Sequence, residues 1–398
     1  MRLGMTAPLI AAGLATLIGT VAPALAYDGL VQKQTFEMAG PYQTVGGRTI
    51  KQVRVGYETI GTLNAAGDNA ILIPHFFSGT SHFAGKYKAD DKAPGYWDAI
   101  TGPGKALDTD KYFLIGVDSL TNINAKDGIT VTTGPASIDP DTGKPYGMTF
   151  PEVQMRDFVN VQKALVDKLG VKKLHAVMGA SMGALQTWEW AAAYPEMVER
   201  IVSVIGATFA DGYTTARIKN WRDAVMVDAK WNKGDYYDKA EPVDGLALAF
   251  KLINIDALAP EWGEASFSRK WADPAKDPAA SMDNAYASEA WNDAAAMARV
   301  KIADANNLIY LARANELFAL GGKSTVEDGI KLVKAKVLLL PSKNDHLLFP
   351  ENSRKARDLL QAQGNKVEYA ELDGPMGHLN GVVGIAQAQP QIIKFLAE

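Results

Sequence analysis

A serine hydroxyl becomes a strong nucleophile only when an imidazole removes its proton and a carboxylate holds that imidazole in the right tautomer. The chain carries one serine in a setting built for such use. Gly179-Ala180-Ser181-Met182-Gly183 fits G-x-S-x-G. With 36 glycines available, chance alone would give roughly 0.2 such matches, so the context has to decide. The pentapeptide follows the apolar run Leu174–Val177 and opens the helical run Ala184–Ala193. A strand, a sharp turn and a helix in that order strain the backbone at the serine and lift its hydroxyl above the sheet. Side chains at the flanking glycines would collide with the neighbouring strand and helix. The helix start behind Ser181 also places partial positive charge where an oxyanion would form.

The base must be one of five histidines: His75, His82, His175, His346 or His378. With this kind of nucleophile turn the acid follows a late strand and the base follows the last one. The apolar run Val337–Pro341 leads into Ser342-Lys343-Asn344-Asp345, and Val367–Leu372 leads into Gly374-Pro375-Met376-Gly377-His378. Ser181, Asp345 and His378 are therefore the expected nucleophile, orienting acid and base. Among rivals, His346 adjoins the acid and would point away from the serine. His175 lies inside an apolar strand and is expected to be structural. Asp373 is a second candidate acid, although its closeness in sequence to His378 makes the geometry awkward. The loop from His75 to His82 (HFFSGTSH) follows another strand and can turn a backbone amide toward the nucleophile. The oxyanion hole is assigned to the amides of Phe77 and Met182. A metal site using His75, His82 and a carboxylate is conceivable, but no ligand spacing supports it.

These residues must be positioned by a sheet. Apolar runs at Ala70–Phe77, Tyr112–Leu120, Leu174–Gly179, Arg200–Ala207, Val337–Pro341 and Val367–Leu372 predict strands covered on both faces. Between them lie helical patterns such as Pro151–Leu169. The alternation predicts an α/β domain with a mostly parallel sheet flanked by helices. Gln52–Ile60 alternates in polarity and predicts an antiparallel strand at the edge. Residues 209–332 interrupt the rhythm with helices at Ala285–Met297 and Asn306–Leu320, and predict an inserted helical cap that shapes the substrate site. The core is then 27–208 with 333–398.

Bulk properties exclude other classes. The charge of -4, with both signs interspersed, gives no reason to expect nucleic acid as a partner. The absence of cysteine removes thiol nucleophiles, thiolate zinc sites and iron–sulfur clusters. No dinucleotide fingerprint, P-loop or metal constellation is present, so no cofactor is expected. At the N-terminus, Arg2 precedes an apolar stretch and Ala24-Leu25-Ala26 forms a small-x-small pattern. This reads as a signal peptide at 1–26 cleaved after Ala26, with a secreted or periplasmic product that keeps no membrane segment.

Beyond these features the chain resembles the homoserine O-acetyltransferase family of the α/β-hydrolase superfamily. The resemblance rests on GTLNAAGDNAILIPH (Gly61–His75), GPGKALDTDKYFLIG (Gly102–Gly116), TGPASIDPDTGKPYGMTFP (Thr133–Pro151), MGASMGALQTWEWAAAYPEMV (Met178–Val198), ADANNLIYLARANELF (Ala303–Phe318), SKNDHLLFP (Ser342–Pro350) and GHLNG (Gly377–Gly381). It implies the α/β-hydrolase fold, ping-pong transfer from an ester or thioester donor, and a homodimer as a common assembly. It also implies that Arg222, in the cap, binds a substrate carboxylate. The chain departs from the family at Ala180 and Ala184, where the elbow usually has glycines. It departs again at Leu379, where Asp usually follows the base, and at Thr121–Val131, which replaces a Gly-Cys-rich segment. Acyl-CoA is not expected outside the cytoplasm, so hydrolysis of a small acyl ester is the leading expectation. Acetyl-CoA-dependent homoserine acetylation is the alternative, and a non-catalytic binding protein on the same fold is the third reading.

Overall fold

The computed structural model describes residues 27–398; the expected signal peptide falls outside them. Among the described residues ten strands form, β1 (Gln34–Glu37), β2 (Tyr42–Gln43), β3 (Thr49–Ile50), β4 (Arg54–Ile60), β5 (Ala70–Pro74), β6 (Phe113–Val117), β7 (Leu174–Ala180), β8 (Arg200–Val204), β9 (Lys336–Leu340) and β10 (Val367–Tyr369). Eight of them make one sheet in the order β1-β4-β6-β5-β7-β8-β9-β10, while β2 and β3 pair separately. From β6 to β10 every pairing is parallel.

The parallel strands read as continuous apolar runs because both faces are covered. Leu72, Ile115, Val177, Ile201 and Leu339 point to one face, against Phe158 of α1 (Met155–Lys168) and Trp188 of α2 (Met182–Ala193). Their neighbours Ile71, Leu114, Met178, Val202 and Leu338 point to the other, which Trp97, Ile392 and Phe395 cover. This is the period-two alternation of a pleated strand, split between two cores rather than between core and water.

The edge expectation for Gln52–Ile60 needs correction. The strand is antiparallel to β6 as expected, but β1 pairs with it outside, so it lies second from the edge. The segment Gln34–Glu37 (QTFE) buries only Phe36, and so short a strand has too little pattern to be read.

Between β8 and β9 lie α3 (Gly212–Met226), α4 (Val243–Ala257), α5 (Pro260–Ser266), α6 (Ala287–Val300), α7 (Ala305–Glu316) and the short α8 (Val326–Ile330). Helix α3 packs against α4 and α7, and α4 packs against α6. After β9 come α9 (Pro350–Gln363), α10 (Asn380–Val383) and α11 (Gln389–Ala397). No described helix is long and apolar enough to cross a membrane.

Phe395 of α11 is fully buried against the second face of the sheet. Phe395→Ala should cost about 3–5 kcal/mol, read as a lower urea midpoint at unchanged slope. An unchanged midpoint would mean that α11 is not part of the cooperative core.

Candidate active site

Ser181 sits between β7 and α2 with φ 55° and ψ −121°. An L-residue is strained in this region, at a cost of order 1–3 kcal/mol that the surroundings must offset. Three glycines make the turn sterically possible. A Cβ on Gly179 would lie 2.4 Å from the Gly183 carbonyl group, and one on Gly183 would lie 2.2 Å from the Pro74 carbonyl oxygen. One on Gly206 would meet Ala184 at 2.5 Å. The start of α2 is thus pressed against the end of β5, which brings the His75–His82 loop beside the serine. The Ser181 N–H donates to the Val204 carbonyl at 3.0 Å, tying the turn to β8.

The structure brings the three expected residues together. The His378 Nε2 lies 2.7 Å from Ser181 Oγ, and its Nδ1 lies 2.7 Å from Asp345 Oδ2. With Nδ1–H donating to the carboxylate, Nε2 is free to accept the serine proton. All three residues are buried. The second carboxylate oxygen of Asp345 accepts from the backbone N–H groups of Leu347 and Leu348, at 2.8 and 3.0 Å. These bonds fix the rotamer of the acid. His378 lies on a short turn whose Gly377 has φ 62° and is packed so closely on Ala259 that a Cβ would lie 2.7 Å from its nitrogen. The segment after α4 therefore braces the base.

Asn380, two residues after the base in GHLNG, has no role that the sequence suggests. Its side-chain amide donates to Ser342 Oγ at 2.9 Å and to the Gly374 carbonyl at 3.0 Å. It fastens the loop of the base to the loop of the acid. Nothing in the local sequence shows the bond to Ser342, because that residue follows another strand, 38 positions earlier in the chain.

Phe77 and Met182 both line the cavity above Ser181. The Met182 N–H opens α2 and has no intrahelical acceptor, and the Phe77 N–H has no acceptor among the described residues. The remaining wall is apolar, with Leu185, Ile218, Trp221, Phe318 and Leu348 prominent; Thr214 and Asn315 are neutral. Among the described residues that line it, none has an ionisable side chain. Trp221 donates its indole N–H to Asp256 at 2.7 Å. Burial pushes the Asp256 carboxyl above its usual range, against the opposing effects of that bond and of Arg217.

Arg222 is not brought to this cavity. Its guanidinium makes two bonds to Glu316, at 2.6 and 2.9 Å, and it lines a separate cavity with Arg48 and Arg313. Ile218 and Trp221 occupy the face of α3 turned to the serine, and the next residue is rotated about 100° away from it. The carboxylate-binding role that the resemblance implied for Arg222 has no support in this arrangement.

The other candidates are placed elsewhere. His346 is exposed. Asp373 pairs with Lys343 at 2.7 Å. His175 bonds through Nε2 to the Leu396 carbonyl at 2.8 Å. His75 and His82 have separate partners: His82 Nδ1 lies 3.0 Å from Glu58, while His75 faces Ser119 and Asn122. Among the described residues, no group of three or more His, Asp or Glu is placed to hold a metal.

A buried charge network anchors the loop that carries Phe77. Lys33 lies 3.0 Å from Glu58 and 3.2 Å from Asp118. Ser81 donates its backbone N–H to Asp118 at 2.6 Å and its hydroxyl to Glu58 at 3.0 Å, and Tyr87 donates to Glu58 at 2.7 Å. Burial alone would raise the Glu58 carboxyl, but His82, Lys33 and Tyr87 outweigh it and hold the carboxyl below its ordinary value.

Residues 105–382 match the family model described as alpha/beta hydrolase fold. Among curated relatives, a homoserine O-acetyltransferase from Symbiobacterium thermophilum is 38% identical over 374 residues, covering 93% of this chain and 96% of the relative. Among solved structures, esterase E22 is 46% identical with a TM-score of 0.88, covering 92% of this chain and all of that one. A homoserine O-acetyltransferase from Bacillus anthracis is 37% identical with a TM-score of 0.88, covering 93% of this chain and 98% of that one.

Three outcomes are expected. Ser181→Ala should abolish labelling by a fluorophosphonate and all ester turnover while the thermal transition barely moves, and Asp345→Asn should lower kcat by up to about 10⁴-fold through the wrong tautomer. Persistent labelling of the Ser181→Ala protein would remove that serine from the chemistry. Because the Glu58 carboxyl is lowered in the folded state, its contribution to stability is complete above the unfolded carboxylate range of about 4.3 and is lost as pH falls through the folded value. A melting series in acid should therefore show a pH-dependent loss in the wild type that is diminished in Glu58→Gln. Parallel curves for the two proteins would discard the role of Glu58.

Proposed function

Because the chain belongs to the homoserine O-acetyltransferase family of the α/β hydrolases, we propose that it transfers acyl groups through a covalent ester on Ser181. The observation that carries this is the unbroken relay from Ser181 Oγ through His378 to Asp345, with 2.7 Å at each step. His378 Nε2 takes the serine proton as Oγ attacks the substrate carbonyl. The Phe77 and Met182 amides hold the oxyanion, each typically worth about 10²–10³ in rate. Collapse expels the alcohol or thiol, which leaves with the proton from His378. A second nucleophile, deprotonated by the same imidazole, then releases the acyl group and restores the serine.

What that second nucleophile is divides two readings. The names of the curated relatives support a homoserine hydroxyl more strongly than they support water, and that reading takes acetyl-CoA as the donor. The geometry of the cavity pulls the other way. Homoserine brings an ammonium and a carboxylate, and leaving either without a counter-charge in an apolar cavity costs several kcal/mol. Arg222 is engaged by Glu316, and Leu379 stands where the resemblance places a carboxylate. Hydrolysis of a small, uncharged acyl ester is the function that this geometry supports best. Export, read from the N-terminal segment, would add to the case, because water is present in every compartment and acyl-CoA is not.

Purified protein should therefore release product from a small aryl acetate much faster than it acetylates homoserine from acetyl-CoA. Strong, selective acetylation of homoserine would establish the transferase and set hydrolysis aside. Failure to react with either substrate or with a fluorophosphonate would favour a binding protein.

A further inference from the structure

His75 is 1% exposed and takes no part in the relay, yet every polar atom of its ring is engaged. Its Nδ1 lies 2.7 Å from the Phe76 carbonyl oxygen. Its Nε2 accepts the Ser119 backbone N–H at 3.0 Å and faces the Asn122 side-chain amide at 3.1 Å. Two donors converging on Nε2 require that nitrogen to be bare, so the proton sits on Nδ1 and is donated to Phe76. Burial acts in the same direction, holding the imidazole below its ordinary range and therefore neutral.

The Phe76 carbonyl belongs to the peptide whose nitrogen is Phe77. No cis peptide occurs among the described residues, and in a planar trans peptide the C=O and N–H point in opposite directions. The Phe76 oxygen is held from one side by His75 and by the Gly79 N–H at 2.9 Å. The Phe77 N–H must then project the other way, and it has no acceptor among the described residues. A free amide on a turn would swing through a wide arc. Here two donors on its carbonyl restrict that motion, and a preorganised donor needs no rearrangement when charge develops.

The geometry points to His75 as a positioning residue that aims the Phe77 amide at the reacting carbonyl by gripping the opposite end of its peptide. This rests on the proposal that Ser181 is acylated and that Phe77 supplies one oxyanion donor. Asn122 and Ser119 complete the grip, because they select the tautomer that can donate.

The test compares two amide substitutions. An Asn side chain can place an N–H near the position of Nδ1, whereas a Gln reaches the position of Nε2 and leaves the Phe76 carbonyl without its side-chain donor. For aryl acetate hydrolysis, His75→Gln should lower kcat by about 10–100-fold with KM within about twofold, a fraction of the full value of one donor. His75→Asn should recover most of that loss. Equal kcat in the two variants, or a larger fall in His75→Asn, would overturn the assignment. In the unsubstituted protein, ¹⁵N NMR should show the His75 ring protonated at Nδ1 and bare at Nε2. The opposite tautomer would sink the inference whether or not the variants fold. If the unsubstituted protein neither hydrolyses the ester nor labels with a fluorophosphonate, the reading of Ser181 fails and this one falls with it, whatever the tautomer.

Discussion

The whole site depends on one backbone conformation, the left-handed turn at Ser181. An L-residue is held there only if neighbouring structure leaves it no alternative. That restraint comes from the centre of the sheet: β7 lies between β5 and β8, and α2 behind it buries ten of its residues, Trp188 and Trp190 among them. The tight turn also requires the first turn of α2 to touch the end of β5, where the Gly183 position meets the Pro74 carbonyl. The same close approach that strains Ser181 therefore delivers the second loop of the site. Ser181 and the amides proposed to hold the oxyanion are placed by one packing event.

Asp345 and His378 reach the serine by a different route. Their strands, β9 and β10, lie on one side of β7, and their loops hold each other through Asp345, Asn380 and Ser342. The insert between β8 and β9 then closes the space above. Helix α3 supplies Ile218 and Trp221 to the cavity wall, and the segment following α4 braces the turn of His378. Helix α6 reaches the other side of the site, where Arg299 donates to the Ser78 carbonyl at 3.1 Å. Burial lowers the affinity of that guanidinium for its proton, and no carboxylate oxygen among the described residues lies within ion-pair distance of it. An apolar enclosure of this kind strengthens every hydrogen bond to developing charge. It also penalises any charged group that enters without a partner.

Much of this was legible in the amino-acid sequence, for a physical reason. The strand–turn–helix around Ser181, the apolar runs of the parallel strands and the glycine-rich loop before His378 are consequences of local geometry, so they are written in contiguous residues. The order of nucleophile, acid and base follows from the succession of strands, and it identified three side chains that meet in space. The helices between β8 and β9 were visible because strand patterns stop and helical ones begin. Phe77 and Met182 could be assigned because their amides follow directly from where β5 and β7 end.

What the sequence could not decide were choices among partners distant along the chain. Arg222 lies in a cap helix of the right composition, but 94 residues separate it from the Glu316 that engages it, and only the packing of α3 on α7 brings the two together. The strand β4 looked like an edge because the four-residue β1 that covers it carries almost no pattern. His75 could be read as a stray ligand and Asn380 as a residue without a role, until the fold placed Phe76 beside one and Ser342 beside the other. Local sequence sets which conformations a segment can adopt. Which hydrogen-bonding group meets which is settled only when the sheet order and the helix faces are in place, because an unpaired polar group in the interior is too costly to leave and takes whatever partner the tertiary structure brings within reach.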